Sequence, residues 1–129
     1  MSPFLSAYFS RLGWTGTPDV SLHTLRELHI HHNGAIPFEN LDVLLPREIH
    51  LDDRTLEEKL IHGRRGGYCF EQNGLLERAL REIGFTVRSL LGVWCWPIRR
   101  ICRRVPIGCC WWRWRGNAGL PTLVSAARR

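Results

Sequence analysis

Apolar residues recur at helical spacing three times in the first 84 positions, and then the period changes. Phe4, Leu5, Tyr8, Phe9 and Leu12 fall on one side of a helix that Ser2-Pro3 can cap and open, and Gly13, Gly16 and Pro18 break it. Ser21 can cap a second helix with Leu22, Leu25 and Leu28 inward and Arg26, Glu27 and His31 outward. Asn33-Gly34 is expected to close it in a left-handed conformation. Ile36 to Asp42 reads as a turn-prone segment with Pro46 beyond it, and Thr55-Leu56-Glu57-Glu58 as a capping box that opens a short helix through Leu60 and Ile61. Gly63, Gly66 and Gly67 make the next loop pliable. From Cys69 a third long helix carries Leu76, Leu80 and Ile83 at i, i+4 and i+7 and ends at Gly84. Phe85 to Leu91 alternates as a strand does.

These elements predict a mainly α chain with the start of a β region: a helical bundle over residues 1–84, a first strand over 85–92, and an atypical tail over 93–129. Composition separates the tail from the rest. Residues 1–92 hold all 12 acidic residues and 10 of the 18 Lys/Arg, a net charge of 10 − 12 = −2. The tail holds 8 arginines, no lysine and no acid, a charge of +8, with four of the five cysteines and five of the six tryptophans. Trp111-Trp112-Arg113-Trp114-Arg115 has neither a helix cap nor a clear strand frame, and selected sequence is normally consistent across such signals. The start of the chain has no basic region followed by an apolar run, and no stretch approaches the ~18 apolar residues of a spanning helix. A cytoplasmic, reducing setting is the expectation, in which Cys69 is a thiol.

Arg64-Arg65-Gly66-Gly67-Tyr68-Cys69-Phe70-Glu71-Gln72-Asn73-Gly74 is the segment with chemistry in it. A cysteine that opens a helix meets unsatisfied N–H groups and the positive end of the helix dipole, which favour thiolate over thiol, and Arg64 and Arg65 add positive charge. A thiolate accepts an acyl group readily, and the resulting thioester is a good acyl donor to an amine. The plainer reading is a small buried residue on a helix, since most cysteines serve packing.

The same segment, preceded by Ile36-Pro37-Phe38-Glu39-Asn40-Leu41-Asp42 and followed by Arg88-Ser89-Leu90-Leu91-Gly92, resembles the bacterial arylamine N-acetyltransferases almost continuously over residues 1–92. The resemblance implies an α+β parent fold of helical bundle, β-barrel and α/β lid around a cysteine-protease-like Cys-His-Asp core. It also implies ping-pong acetyl transfer through an acetyl-cysteine, from acetyl-CoA to arylamines, arylhydrazines or N-hydroxyarylamines, with no tightly bound cofactor, no metal and no specific nucleic-acid partner. Carried over by position, Cys69 is the nucleophile, Phe38, Tyr68 and Phe70 line the acceptor pocket, and Arg65 with Glu39 forms an ion pair that supports the loop. The alternatives are core aromatics and a surface pair of little worth.

The family's histidine and aspartate follow the first domain, whereas here no histidine follows His62 and no acid follows Glu82. His62 is expected to be solvated. Trp, Cys and Arg without acid or lysine are what GC-rich codons yield when read one base off. Arg104-Val105-Pro106-Ile107 can be written CGC GTA CCC ATC, whose other frame reads Arg-Thr-His. Leu120 to Ala127 can be written so that the other frame reads Ala-Asp-Val-Gly-Phe-Gly-Gly. Both are segments of the family, in its order, and they place the histidine and aspartate near Ile107 and Thr122. The tail is therefore expected to be an out-of-frame continuation from about Gly92–Val93, and the chain to have little or no acetyltransferase activity. Competing readings are a papain-like or transglutaminase-like hydrolase, a cationic tail that binds membranes or nucleic acid, and a metal site on Cys95, Cys102, Cys109 and Cys110, which lacks the paired spacing of structural zinc.

Overall fold

The structure, a computed structural model, describes the backbone of residues 1–93, 108–115 and 121–125 and the side chains of residues 1–89. Helix α1 spans Pro3–Leu12, with the Ser2 side chain accepting the Leu5 N–H at 3.1 Å and Gly13 closing it at φ 63°. Helix α2 spans Leu22–Ala35 under the Ser21 cap. Asn33-Gly34 does not end it. The helix runs through both to Ile36 at φ −106° and ψ 104°, because Pro37 excludes the helical region for the residue before it.

The Ile36–Asp42 segment contains more order than a turn, with a four-residue helix α3 at Leu41–Leu44. Helix α4, Asp53–Glu57, begins earlier than the Thr55 capping box predicts. Asp52 is the cap, its Oδ1 accepting the Thr55 N–H at 3.0 Å, since a carboxylate in extended backbone is a better acceptor than a hydroxyl already inside the first turn. The chain then widens into a π-helical turn at Glu58–His62, with the Gly63 N–H bonded to the Glu58 carbonyl at 2.7 Å. Helix α5 spans Cys69–Ile83 and ends at Gly84, whose φ of 113° only glycine adopts without strain.

Strand β1 is Val87–Val93, two residues later than the sequence pattern places it, because Phe85 is still buried in the helical core. It pairs antiparallel with β2, Gly108–Arg115, from Val87↔Trp114 to Val93↔Gly108, and β2 pairs antiparallel with β3, Pro121–Ser125. The tail thus supplies two strands of a sheet ordered β1-β2-β3, where no strand frame was legible. Tryptophan, valine and threonine suit a pleated strand whatever the pattern of charge around them. The cysteines and arginines proposed above for metal or anionic partners lie outside the described side chains.

The core joins α1, α2, α4, the π-turn and α5. Tyr8, Leu28 and Leu60 are wholly buried, with Leu75, Leu76 and Ala79 of α5 against them. The Arg78 guanidinium lies 3.7 Å above the Phe4 ring and bonds Glu57 at 2.9 Å, so one side chain ties α1, α4 and α5 together. Leu41, Val43, Leu44, Leu45 and Leu51 by contrast are each about half exposed or more.

His32 is buried among these apolar residues, and one ring nitrogen shares a 2.8 Å hydrogen bond with the Tyr8 hydroxyl. Its other nitrogen, Nε2, has no hydrogen-bond partner among the described residues. Burial, reinforced by repulsion from His29 and opposed by Gln72, pushes the ring down from 6.5 to about 3, and burial holds the Tyr8 hydroxyl protonated. The unfolded chain therefore takes up a proton before the folded one. Stability from the neutral ring is intact above pH 6.5 and is lost as the pH falls toward 3. Urea unfolding at pH 7 and pH 5 is expected to differ by about 2 kcal/mol, and His32→Gln is expected to remove that difference.

Candidate functional site

The loop before α5 is held by the strand-like segment that crosses it. Phe38 and Gly67 form a parallel bridge in which the Glu39 N–H donates to the Gly67 carbonyl at 3.0 Å and the Gly67 N–H to the Pro37 carbonyl at 3.3 Å. Gln72, one turn into α5, donates its amide N–H to both Pro37 and Gly67 carbonyls at 3.0 and 3.1 Å. Gly66 is buried in the crossing. A Cβ there would stand 2.3 Å from the Pro37 carbonyl oxygen, a backbone atom that cannot move without opening the bridge. Two of the glycines expected to loosen the loop are thus where it is packed most tightly.

An ionic chain runs along the same crossing. Arg65 bonds Glu39 and, at 3.0 Å, both carboxylate oxygens of Asp42. Lys59, the single lysine of the chain, reaches from the π-turn to Asp42 at 2.7 Å and to Glu71 at 2.6 Å. The second oxygen of Glu71 accepts the Tyr68 N–H at 3.0 Å, and Glu39 accepts the Gly66 N–H at 3.2 Å. The hydrogen bond from Arg65 holds the Glu39 carboxyl below its ordinary range. Lys59 and then Arg65 hold Asp42 down to about 2. Burial opposes the charge on Lys59, yet its bonds to Asp42 and Glu71 raise it overall. Glu39 and Arg65 are therefore one link in a five-member network, not an isolated surface pair. Sequence reasoning missed Asp42, Lys59 and Glu71. A lone lysine among arginines was the available signal.

Cys69 is the first residue of α5 and half-buried, directly after the clamped turn. The Tyr68 and Phe70 rings flank it with centroids 5.5 Å apart at 51°, both half-buried. Phe38 is 66% exposed in this chain. His62 is exposed, with its Nε2 3.6 Å from Glu57 on the helix before the loop. No group of three potential metal ligands occurs among the described residues, and no helix among them is long and apolar enough to cross a membrane.

Gly66→Ala is expected to destabilise the folded chain by about 1–3 kcal/mol in urea unfolding, and to expose the Gly67 and Glu39 amides to faster hydrogen exchange.

A family model described as N-acetyltransferase matches residues 21–103. The arylamine N-acetyltransferase / N-hydroxyarylamine O-acetyltransferase of Salmonella typhimurium strain LT2 is 66% identical over 92 residues, which is 71% of this chain and 33% of that enzyme. The solved arylamine N-acetyltransferase of Salmonella typhimurium superposes with a TM-score of 0.86 at 48% identity, covering 98% of this chain and 45% of that one. The Mycobacterium marinum enzyme in complex with CoA superposes at 0.84 with 36% identity, covering 95% and 46%. The chain spans about a third of the length of the curated relatives it matches. These matches do not favour the hydrolase alternative. With the glycine-clamped turn in front of Cys69 and this similarity, the chain belongs to the arylamine N-acetyltransferase family.

Proposed function

We propose that Cys69 is the acyl acceptor of an acetyl-CoA-dependent arylamine N-acetyltransferase, acting by a ping-pong mechanism. The observation that carries the reading is the position of Cys69 at the first residue of α5, behind a turn fixed by Gly66, Gly67, Gln72 and the Glu39–Arg65 link. Its thiolate attacks the acetyl carbonyl of acetyl-CoA. The carbon–sulfur bond to CoA breaks, and CoA leaves as a thiolate that takes up the proton Cys69 gave up on ionising. An arylamine, arylhydrazine or N-hydroxyarylamine then attacks the acetyl-cysteine, loses its proton and regenerates the thiolate. Tyr68 and Phe70, with Phe38 at the rim, supply the flat apolar surface an aromatic acceptor stacks on. A reducing cytoplasmic setting suits a working thiol.

The second half of that cycle needs a base. No histidine follows His62 and no acid follows Glu82, so no residue of this chain matches the imidazole and carboxylate that the family resemblance calls for. The reading that best accounts for residues 93–129 remains an out-of-frame continuation of the family's own coding sequence. Nucleotide sequencing from codon 85 onward is expected to find Arg-Thr-His and Ala-Asp-Val-Gly-Phe-Gly-Gly in the alternate frame, and any other sequence there overturns the frameshift.

Incubation of the 129-residue chain with excess acetyl-CoA, followed by peptide mass mapping, is expected to place one acetyl group on Cys69 slowly, with none in Cys69→Ala. Steady-state arylamine acetylation is expected to be undetectable. Family-like turnover would overturn the inactive state, and acetylation spread over the other cysteines but absent from Cys69 would overturn the nucleophile.

A further inference from the structure

Glu71 is the third residue of the helix that Cys69 opens, and its side chain is 3% exposed. A buried carboxylate two residues from the cysteine, in the same first turn of the helix, opposes the formation of a second anion there. It is nevertheless required by the turn, because its Oε2 holds the Tyr68 N–H, one residue before the sulfur-bearing position. Lys59 resolves the conflict. Its Nζ lies 2.6 Å from the other oxygen of Glu71 and 2.7 Å from Asp42, with its side chain 14% exposed.

We infer that Lys59 is a positioning residue for Cys69, neutralising Glu71 so that this carboxylate can brace the Tyr68–Cys69 turn without disfavouring a thiolate beside it. The inference rests on the reading of Cys69 as the acyl acceptor. Glu39, Asp42 and Glu71 bring three negative charges to the network, and Lys59 and Arg65 two positive ones. Removing Lys59 changes the balance from −1 to −2. The other charged groups at hand do not substitute for it. Arg65 is committed to Glu39 and Asp42, and Arg47 reaches Asp42 only at 3.5 Å from an exposed position. Arg64 is exposed, and His62 sits against Glu57. Lys59 stands on the π-helical turn, whose i→i+5 bonding adds a residue to the turn and so shifts the side chains relative to an α-helical continuation of α4.

The test is the pH dependence of Cys69 alkylation by iodoacetamide in the full 129-residue chain, read by mass spectrometry of the Cys69 peptide so that the other four cysteines do not contribute. Circular dichroism establishes which variants are folded. Lys59→Met is expected to raise the midpoint of the alkylation profile by about one pH unit. Glu71→Gln, which keeps an oxygen for the Tyr68 N–H, is expected to lower it, and the double variant to return near the parent value. Lys59→Arg is expected to leave it unchanged. A folded Lys59→Met with the parent midpoint overturns the inference. If Lys59→Met does not fold, an unshifted Glu71→Gln overturns it, because charge compensation requires that shift. The parent midpoint itself tests the underlying reading. A value near the ordinary thiol, about 8.5, with the variant shifts intact removes the activated nucleophile and leaves the role of Lys59. A low value without the shifts does the reverse.

Discussion

The close approach of two backbone segments, Pro37–Glu39 against Gly66–Gly67, is the constraint on which the rest of the site depends. The distance between them admits no Cβ at Gly66, and only at that distance do the two main-chain hydrogen bonds of the bridge and the double donation from Gln72 form together. Helix α5 begins immediately after this crossing, so the crossing decides where its first residue stands. A loop of glycines would ordinarily be a place of conformational freedom. Here the absence of side chains serves the opposite end, by letting main chain pack on main chain until neither segment can shift.

The ionic network is secondary to that contact but depends on it. Arg65, Glu39, Asp42, Lys59 and Glu71 come from four different stretches of chain, and each is brought into range by the crossing or by the π-turn below it. Its members range from nearly buried to a little over a third exposed, so its weight is unevenly distributed. The Lys59–Glu71 pair sits where water screens least and where loss of one partner would strand a buried charge. The outer Arg65–Glu39 link is more open to solvent and contributes chiefly geometry.

Much of this was legible from the sequence. The helices opened by Ser2-Pro3, Ser21 and Cys69 are where pattern and capping place them, because their apolar stripes and caps agree. The misses have definite physical causes. A proline one residue beyond Ile36, not the Asn33-Gly34 pair, ended α2, and a carboxylate at Asp52 outcompeted the Thr55 hydroxyl as a cap. The π-turn has no signature in periodicity, so Lys59 could not be assigned a partner. The strands of the tail were hidden because Gly108 to Arg115 has no consistent polar–apolar alternation, and only the backbone register against β1 and β3 shows them. His32 continues the Leu25–Leu28 stripe of α2 and was findable by spacing, but a polar residue in an apolar row invites being assigned to the surface.

The apolar residues left in view between Leu41 and Leu51 give the molecule a property separate from its chemistry. Leu41, Val43, Leu44, Leu45 and Leu51 lie within eleven consecutive positions, each about half exposed or more, on the short helix α3 and the stretch that follows it. Scattered leucines on a surface are ordinary, whereas a run of them is adhesive. Leu41 to Leu51 thus presents apolar surface that the helical core leaves uncovered, in a chain that spans about a third of the length of its curated relatives.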